Sequence, residues 1–341
     1  MTFAAPPSTA LSQSRIATGF SLLKGRKNLP LIATCVVFIL LYSAASLRYN
    51  GFFSLQVASN LVSDNAFLGI AAVGLTLVIL AGGIDLSVGA AIGCTSILLA
   101  TVTERHGWHP ALAAAVVLAG GTLVGLVQGM LIHFFELPAF LVTLGGLFFY
   151  RGLGLLISRE SIAISNPLYV RLSSWAIPIG GRAALPLVGI LFLALLALVS
   201  YFAACRPIGR YIYAIGGSEQ SALLMGLPVG RVKVGVYGFC GLCAGLAGVG
   251  ATLYTSSGNA LTGSGLELDA IAAVVVGGTL LSGGVGSPVG TLLGVLIFGV
   301  IQSAITFEGT LSSWWARIAI GILLLGFILL QRLLQPGRDN S

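Results

Sequence analysis

The feature that most limits how this chain can fold is the recurrence of long apolar stretches with no alternation in them. A helix needs about 20 mostly apolar residues to cross the hydrocarbon core of a bilayer, because lipid offers no hydrogen-bond partners to a bare backbone. Leu29 to Leu47 and Leu185 to Val199 are such runs, and others recur to the end of the sequence. A closed barrel would instead show segments of about 10 residues alternating apolar and polar. Ala111 to Leu118 and Leu185 to Val199 do not alternate. Only 8% of the 341 residues are charged, against about 25% in average proteins. The expected fold class is all-α, a polytopic transmembrane helical bundle.

About ten spans are expected, near 29–47, 62–81, 86–103, 110–132, 138–158, 184–204, 232–254, 270–282, 288–306 and 314–334, forming one membrane domain over 29–334. An even count puts both termini on one face. With the ends inside, the cytoplasm receives Arg15, Lys24, Arg26, Lys27, Arg206, Arg210, Arg231, Lys233, Arg332 and Arg338. The outer side receives Arg48, Arg105, Arg151, Arg159, Arg171, Arg182 and Arg317, a modest bias in the direction that positive charge sets topology. Residues 1–28 and 335–341 are then cytoplasmic tails, and the run from Leu29 to Leu47 is long enough to remain as an anchor and not a cleaved signal. The net charge of +7 calls for no nucleic acid, since orientation and anionic headgroups account for basic residues flanking spans. An outer loop at 159–183 carries Tyr169 and Trp175, suited to the membrane interface, and the main inner loop runs over about 205–231.

Ala71–Gly93 lies over Ala272–Gly294 when the chain is slid along itself, with Gly82-Gly83 falling on Gly283-Gly284. The bundle therefore reads as two related halves, each with a Gly-broken helix. Gly-interrupted spans at matching places in two halves point to a transport pathway, because a broken helix frees backbone groups for ligand or water. Tight Gly turns between helices would leave the same pattern. Gly121, Gly125 and Gly129 form one ridge of small residues at helical spacing, and Gly286, Gly290 and Gly294 a second, which favours close helix packing. Five cysteines lie in or beside apolar stretches, and Cys240 with Cys243 has no neighbouring ligand to complete a metal site. Small-residue packing explains that pair.

Enzymatic chemistry finds little to work with. The phosphate-cradling G-x-x-x-x-G-K-S/T, the H-E-x-x-H of zinc proteases and the G-x-S-x-G elbow are all missing from the sequence. His106, His109 and His133 are scattered over two loops. A polytopic membrane enzyme would need paired carboxylates or a His cluster at one membrane face. Polar residues inside spans are costly and should face protein or water. Asp64 and Asn65 begin a span, Asp85 follows the first Gly-Gly break, Gln128 and Gln302 lie within helices, and Glu267 with Asp269 opens the partner of the first repeat. Asp64, Asn65, Asp85 and Gln302, with Gly82, Gly83, Gly283 and Gly284, are the candidate pathway residues. For Asp64, Glu267 and Asp269 helix capping is the competing account, since acids are favoured near helix N-termini.

The inner loop carries Ser218 as an N-cap for a short helix holding Ala222, Leu223 and Met225, closed by Gly226 and Pro228. Such a helix can lie on the membrane or dock into a partner. The segments GGIDLSVG (82–89), YAIGGSEQSALLMGL (213–227), GLCAGLAGV (241–249) and ELDAIAAVVVGGTLLSGGVGSPVGTLLG (267–294) resemble the permease subunits of ribose, xylose and galactofuranose ABC importers, over about 29–334. DNAFLGI (64–70), LLSGGVG (280–286) and GTLSSWWARIAIGILL (309–324) are most similar to a galactofuranose permease.

The resemblance implies a bacterial inner-membrane permease without ATPase activity and without a bound cofactor of its own. It implies four kinds of component: this chain, a second related permease, a cytoplasmic ATPase that consumes ATP, and a periplasmic sugar-binding protein. It also implies that Ala214, Gly216, Gly217, Ser218, Glu219, Ala222 and Gly226 form the loop coupling the permease to the ATPase, with Ser218 standing where the family commonly has Asn. A branched-chain amino acid permease would share this fold and partner logic.

Overall fold

The computed structural model describes residues 29–312 and 314–334. The expected tails, 1–28 and 335–341, lie outside the described residues. The helices are α1 (Leu29–Arg48), α2 (Leu55–Asp64), α3 (Ala66–Leu80), α4 (Val88–Glu104), α5 (Pro110–Phe134) and α6 (Ala139–Ile157), then α7 (Pro167–Ser173), α8 (Leu187–Cys205), α9 (Pro207–Gly217) and α10 (Glu219–Leu224). They continue with α11 (Val229–Thr255), α12 (Leu266–Val276), α13 (Pro288–Glu308) and α14 (Trp314–Leu334).

The chain is the expected polytopic helical bundle, and each of the ten apolar stretches overlaps a helix, the eighth least well, since its helix covers Leu266–Val276 where 270–282 is expected. Six helices are long and apolar enough to cross a membrane, or seven if the bent α2–α3 pair is one span. The third and eighth stretches are the short helices α4, of 17 residues, and α12, of 11. Both are short because each borders a Gly-rich break. The second stretch begins earlier than the apolar pattern predicts: α2 starts at Leu55, capped by Ser54, whose Oγ accepts the Val57 N–H. It meets α3 at an angle of 57°. Asn65 makes the bend, its Nδ2 donating to the Leu61 carbonyl 3.0 Å away, one turn back, a side-chain bond that competes with the helix ladder.

The core forms around α11, of whose apolar window 72% is buried, against 11% for α1 and 22% for α6. The poorly buried helices present the apolar faces a bilayer would cover. Helix α5 runs along α11 on its glycine ridge: a methyl group on Gly121 would lie 2.6 Å from the Gly241 carbonyl, one on Gly125 would strike the Tyr237 carbonyl, and one on Gly129 would lie 2.7 Å from Val234 Cα. In the second ridge Gly290 and Gly294 sit against the carbonyls of Gly277, just past the end of α12, and Ala273 on α12, while Gly286 lies in the break ahead of α13. Cys240 and Cys243 are buried free thiols, and Cys243 packs against Gly74 of α3.

Among the described residues, strands appear only at connections. β1 (Ile162–Ala163) pairs antiparallel with β4 (Ser257–Gly258), and β2 (Ala176–Gly180) with β3 (Ala183–Pro186). The loop after α11 is held down further by Arg151 of α6, which donates to the Ala260 carbonyl at 2.7 Å, and by Ser96 of α4, whose hydroxyl donates to the Asn259 carbonyl at 2.9 Å. Tyr169 departs from its expected place at the membrane interface. It is only 3% exposed, its hydroxyl meeting Thr252 of α11, whereas Trp175 stays exposed. Asn166 turns it inward by capping α7.

Candidate functional site

The two glycine-rich breaks share a left-handed glycine at the same place in the repeat. Gly82 has φ +81° and Gly283, its counterpart in the repeat, has φ +83°, followed by Gly284 at +74°. This left-handed conformation costs an L-residue about 1–2 kcal/mol and glycine essentially nothing. The breaks also touch. The Gly284 N–H donates to the Leu80 carbonyl at 3.0 Å, and a methyl group on Gly283 would lie 2.9 Å from Gly82 Cα. One turn deeper, the hydroxyls of Thr76 on α3 and Thr291 on α13 share a buried 2.7 Å hydrogen bond across the two halves.

A third piece of backbone enters the same point. Pro207 at its first position starts α9, whose apolar Ile212 and Ile215 are buried at a spacing that puts one face inward. Its last turn brings Gly216 against both breaks. A methyl group there would strike the Leu80 carbonyl and lie 2.5 Å from the Gly284 nitrogen, and one on Gly284 would lie 2.8 Å from Gly217 Cα. Tyr213, one turn earlier, donates from its hydroxyl to the Gly286 carbonyl at 2.9 Å. The last turn closes where the Ala214 carbonyl accepts the Ser218 N–H at 3.1 Å.

Ser218 then caps α10, its Oγ accepting the Ser221 N–H at 3.2 Å. Ala222 is buried, whereas Leu223, Leu224 and Met225 are exposed, Leu224 by 87%. Gly226, at φ +74°, closes the helix, and the Leu227 N–H returns to the Ala222 carbonyl. Both oxygens of Glu219 accept from Lys233 Nζ of α11 at 2.6 Å. Beside this pair is a cavity of about 420 Å³ whose lining includes Gly82, Gly83, His133, Glu136, Glu219 and Lys233. A short helix with an apolar exposed tip is thus tied by one ion pair to the central helix and through α9 to both breaks.

The remaining candidate residues lie in three places. Asp85, 1% exposed, accepts the Ser87 N–H at 2.8 Å and its hydroxyl at 2.7 Å, which caps the entry to α4. Asp64 is the last residue of α2, exposed, and accepts from the Tyr254 hydroxyl at 3.1 Å. Asn65 is buried in the bend beside Gly299 of α13. Gln302 lies on the exposed side of α13 next to a cavity shared with Asp269 and Arg317. Glu267 sits in the first turn of α12, Oε1 accepting the Gly265 N–H. Gly82, Gly283 and Gly284 come together with Gly216 and Gly217, while Gly83 faces Tyr237 of α11; Asp64, Asn65 and Gln302 stand apart from that junction. Tyr213 and Lys233 complete the junction, and the sequence signal for the first was available in Pro207 followed by Ile208, Ile212 and Ile215 at helical spacing.

Residues 57–328 match the family described as branched-chain amino acid transport system / permease component. The chain belongs to that family. The permease is 50% identical over 309 residues to the inner membrane ABC transporter permease protein YjfF of Escherichia coli, covering 90% of this chain and 93% of that one. It is 35% identical over 320 residues to the fructose import permease protein FruG of Bifidobacterium longum, at 92% and 93% coverage. It is also 35% identical over 294 residues to the ribose import permease protein RbsC of Escherichia coli, at 85% and 90% coverage. No solved structure matches it. These relatives are permease subunits of transporters, not enzymes, and the bundle above is that of a multi-span membrane permease.

Proposed function

We propose that this permease is the membrane subunit of an ABC importer that moves a sugar, galactofuranose or a related monosaccharide, across the bacterial inner membrane. A separate cytoplasmic ATPase drives it, a second permease completes the pathway as a heterodimer, and a periplasmic sugar-binding protein delivers the substrate. Both termini and the 205–231 segment face the cytoplasm. ATP is consumed by the partner, and this chain binds no cofactor.

The observation that carries the reading is the contact of Gly216 and Gly217 with Gly82, Gly283 and Gly284. Closure of the ATPase moves α10, α9 transmits the displacement over one short helix, and the two breaks shift together because they share one backbone junction. Broken helices of this kind supply unpaired backbone groups to a pathway at membrane depth. Asp64, Asn65, Asp85 and Gln302 contribute polar groups along it. Relatives that import fructose and ribose support a saccharide.

The family description supports a second reading, import of a branched-chain amino acid. Uptake by the reconstituted importer, with galactofuranose, ribose, fructose and leucine in competition, separates the two. Uptake of leucine alone, or of any solute at full rate without the ATPase, would defeat the sugar reading.

A further inference from the structure

We infer that the permease carries its own saccharide-binding pocket between the first turn of α12, the last turns of α13 and the start of α14, an inference that rests on the sugar reading above. The pocket holds about 240 Å³ and is lined by Asp269, Gln302, Trp314, Ala316, Arg317 and Ile320. Gln302 stands about 20 Å along α13 from the second break at helical rise, so the pocket opens toward the end of the bundle opposite the coupling segment. In the proposed orientation that end faces the periplasm, where a binding protein would release its cargo.

Three polar side chains of different kinds converge there. Asp269 can only accept hydrogen bonds when ionised, Arg317 can only donate, and the Gln302 amide does both. Adjacent hydroxyls of a monosaccharide ask for that mixture. The two ion pairs among the described residues join Arg48 to Glu308 and Lys233 to Glu219, so neither Asp269 nor Arg317 is consumed in one. Gln302 spends its backbone in the α13 ladder, where its carbonyl also accepts from the Thr306 hydroxyl at 2.9 Å, and its side-chain amide bonds to no described residue. The Arg317 guanidinium lies 5.0 Å from the centre of the Trp314 ring, a cation–π contact that holds the charged group at the rim of the pocket. Among the described residues the side chains of half-buried Asp269 and of exposed Gln302 and Arg317 make no hydrogen bond, which leaves their donors and acceptors open to water or a ligand.

The test uses the full importer reconstituted in vesicles with its ATPase, second permease and binding protein. Wild type is first offered radiolabelled galactofuranose, ribose and fructose, and the sugar it accumulates is then given to Asp269→Asn, Gln302→Leu and Arg317→Lys. Each should lower uptake by about tenfold, the worth of one lost hydrogen bond to a bound ligand, while the subunits still co-purify. Arg317→Lys keeps the charge and stands in where a neutral variant does not insert. Thr306→Ala, one turn away and bonded only to its own helix, should leave uptake unchanged. Normal uptake by the three pocket variants would overturn the pocket alone. Loss of the second permease from the purified variants would make these residues subunit contacts and overturn it too. A wild type that accumulates none of the sugars would remove the sugar reading, and the pocket with it.

Discussion

The N–H of Gly284 donates a 3.0 Å hydrogen bond to the carbonyl of Leu80, and that single bond fastens the break in the second half of the permease to the end of the helix that precedes the break in the first. A displacement of either break is therefore felt by the other without passing through side chains.

Gly216 and Gly217 should respond differently to substitution. A methyl group on Gly216 collides with the Leu80 carbonyl and the Gly284 nitrogen, whereas one on Gly217 meets nothing within 4 Å. Gly216→Ala should destabilise the purified chain by about 1–3 kcal/mol, as overpacking does, and lower its melting temperature in detergent. Gly217→Leu should melt like wild type, since the position is open, and abolish uptake by adding bulk to the segment proposed to dock the ATPase. Equal melting of the two variants would contradict the junction.

Ser218→Ala removes the cap of α10 and should cost about 1 kcal/mol of helix stability. Uptake should fall while Ser218→Asn, which restores a capping oxygen, returns it to near the wild-type rate. Co-purification of the ATPase with each variant measures the docking step directly.

Glu219 and Lys233 form a partly exposed pair, with side chains 44% and 18% exposed, so its worth is about 1 kcal/mol or less. Glu219→Gln should therefore leave stability nearly unchanged and act mainly by loosening α10 from α11. The exchanged double variant Glu219→Lys with Lys233→Glu should recover coupling between ATP hydrolysis and uptake better than either single change.

The α5–α11 seam leaves no room for a side chain at Gly121, Gly125 or Gly129. Gly125→Leu should lower the melting temperature of the purified permease more than a leucine at Gly120, which sits in open space on the same helix. Small residues at such seams let two backbones approach, and bulk forces them apart.

The parts of this fold that could be read from the sequence are those written in composition and in glycine. The apolar runs locate the bundle, the repeated Gly-Gly pairs locate both breaks, and Ser218 with Gly226 brackets α10 correctly. What escaped depends on partners distant in the chain. Asn65 bends α2 against α3 through a bond to Leu61 that periodicity does not register, so the start of that helix at Leu55 was hidden. Tyr169 looked like an interfacial aromatic until Thr252 of α11 claimed its hydroxyl. Gly286 matched the spacing of Gly290 and Gly294 but belongs to the break, because spacing alone does not show where a helix begins. The pocket around Asp269 and Arg317 joins residues that no local pattern connects.

Because β1 grips β4, and Arg151 and Ser96 clasp the same loop, the bundle is pinned at the end farthest from its glycine crossing. A clamp pinned there swings most widely where the crossing lies. Amide exchange should accordingly be slower at Ala163 and Ser257 than in α9 and α10, so that the region receiving the push is also the one with the freedom to yield to it.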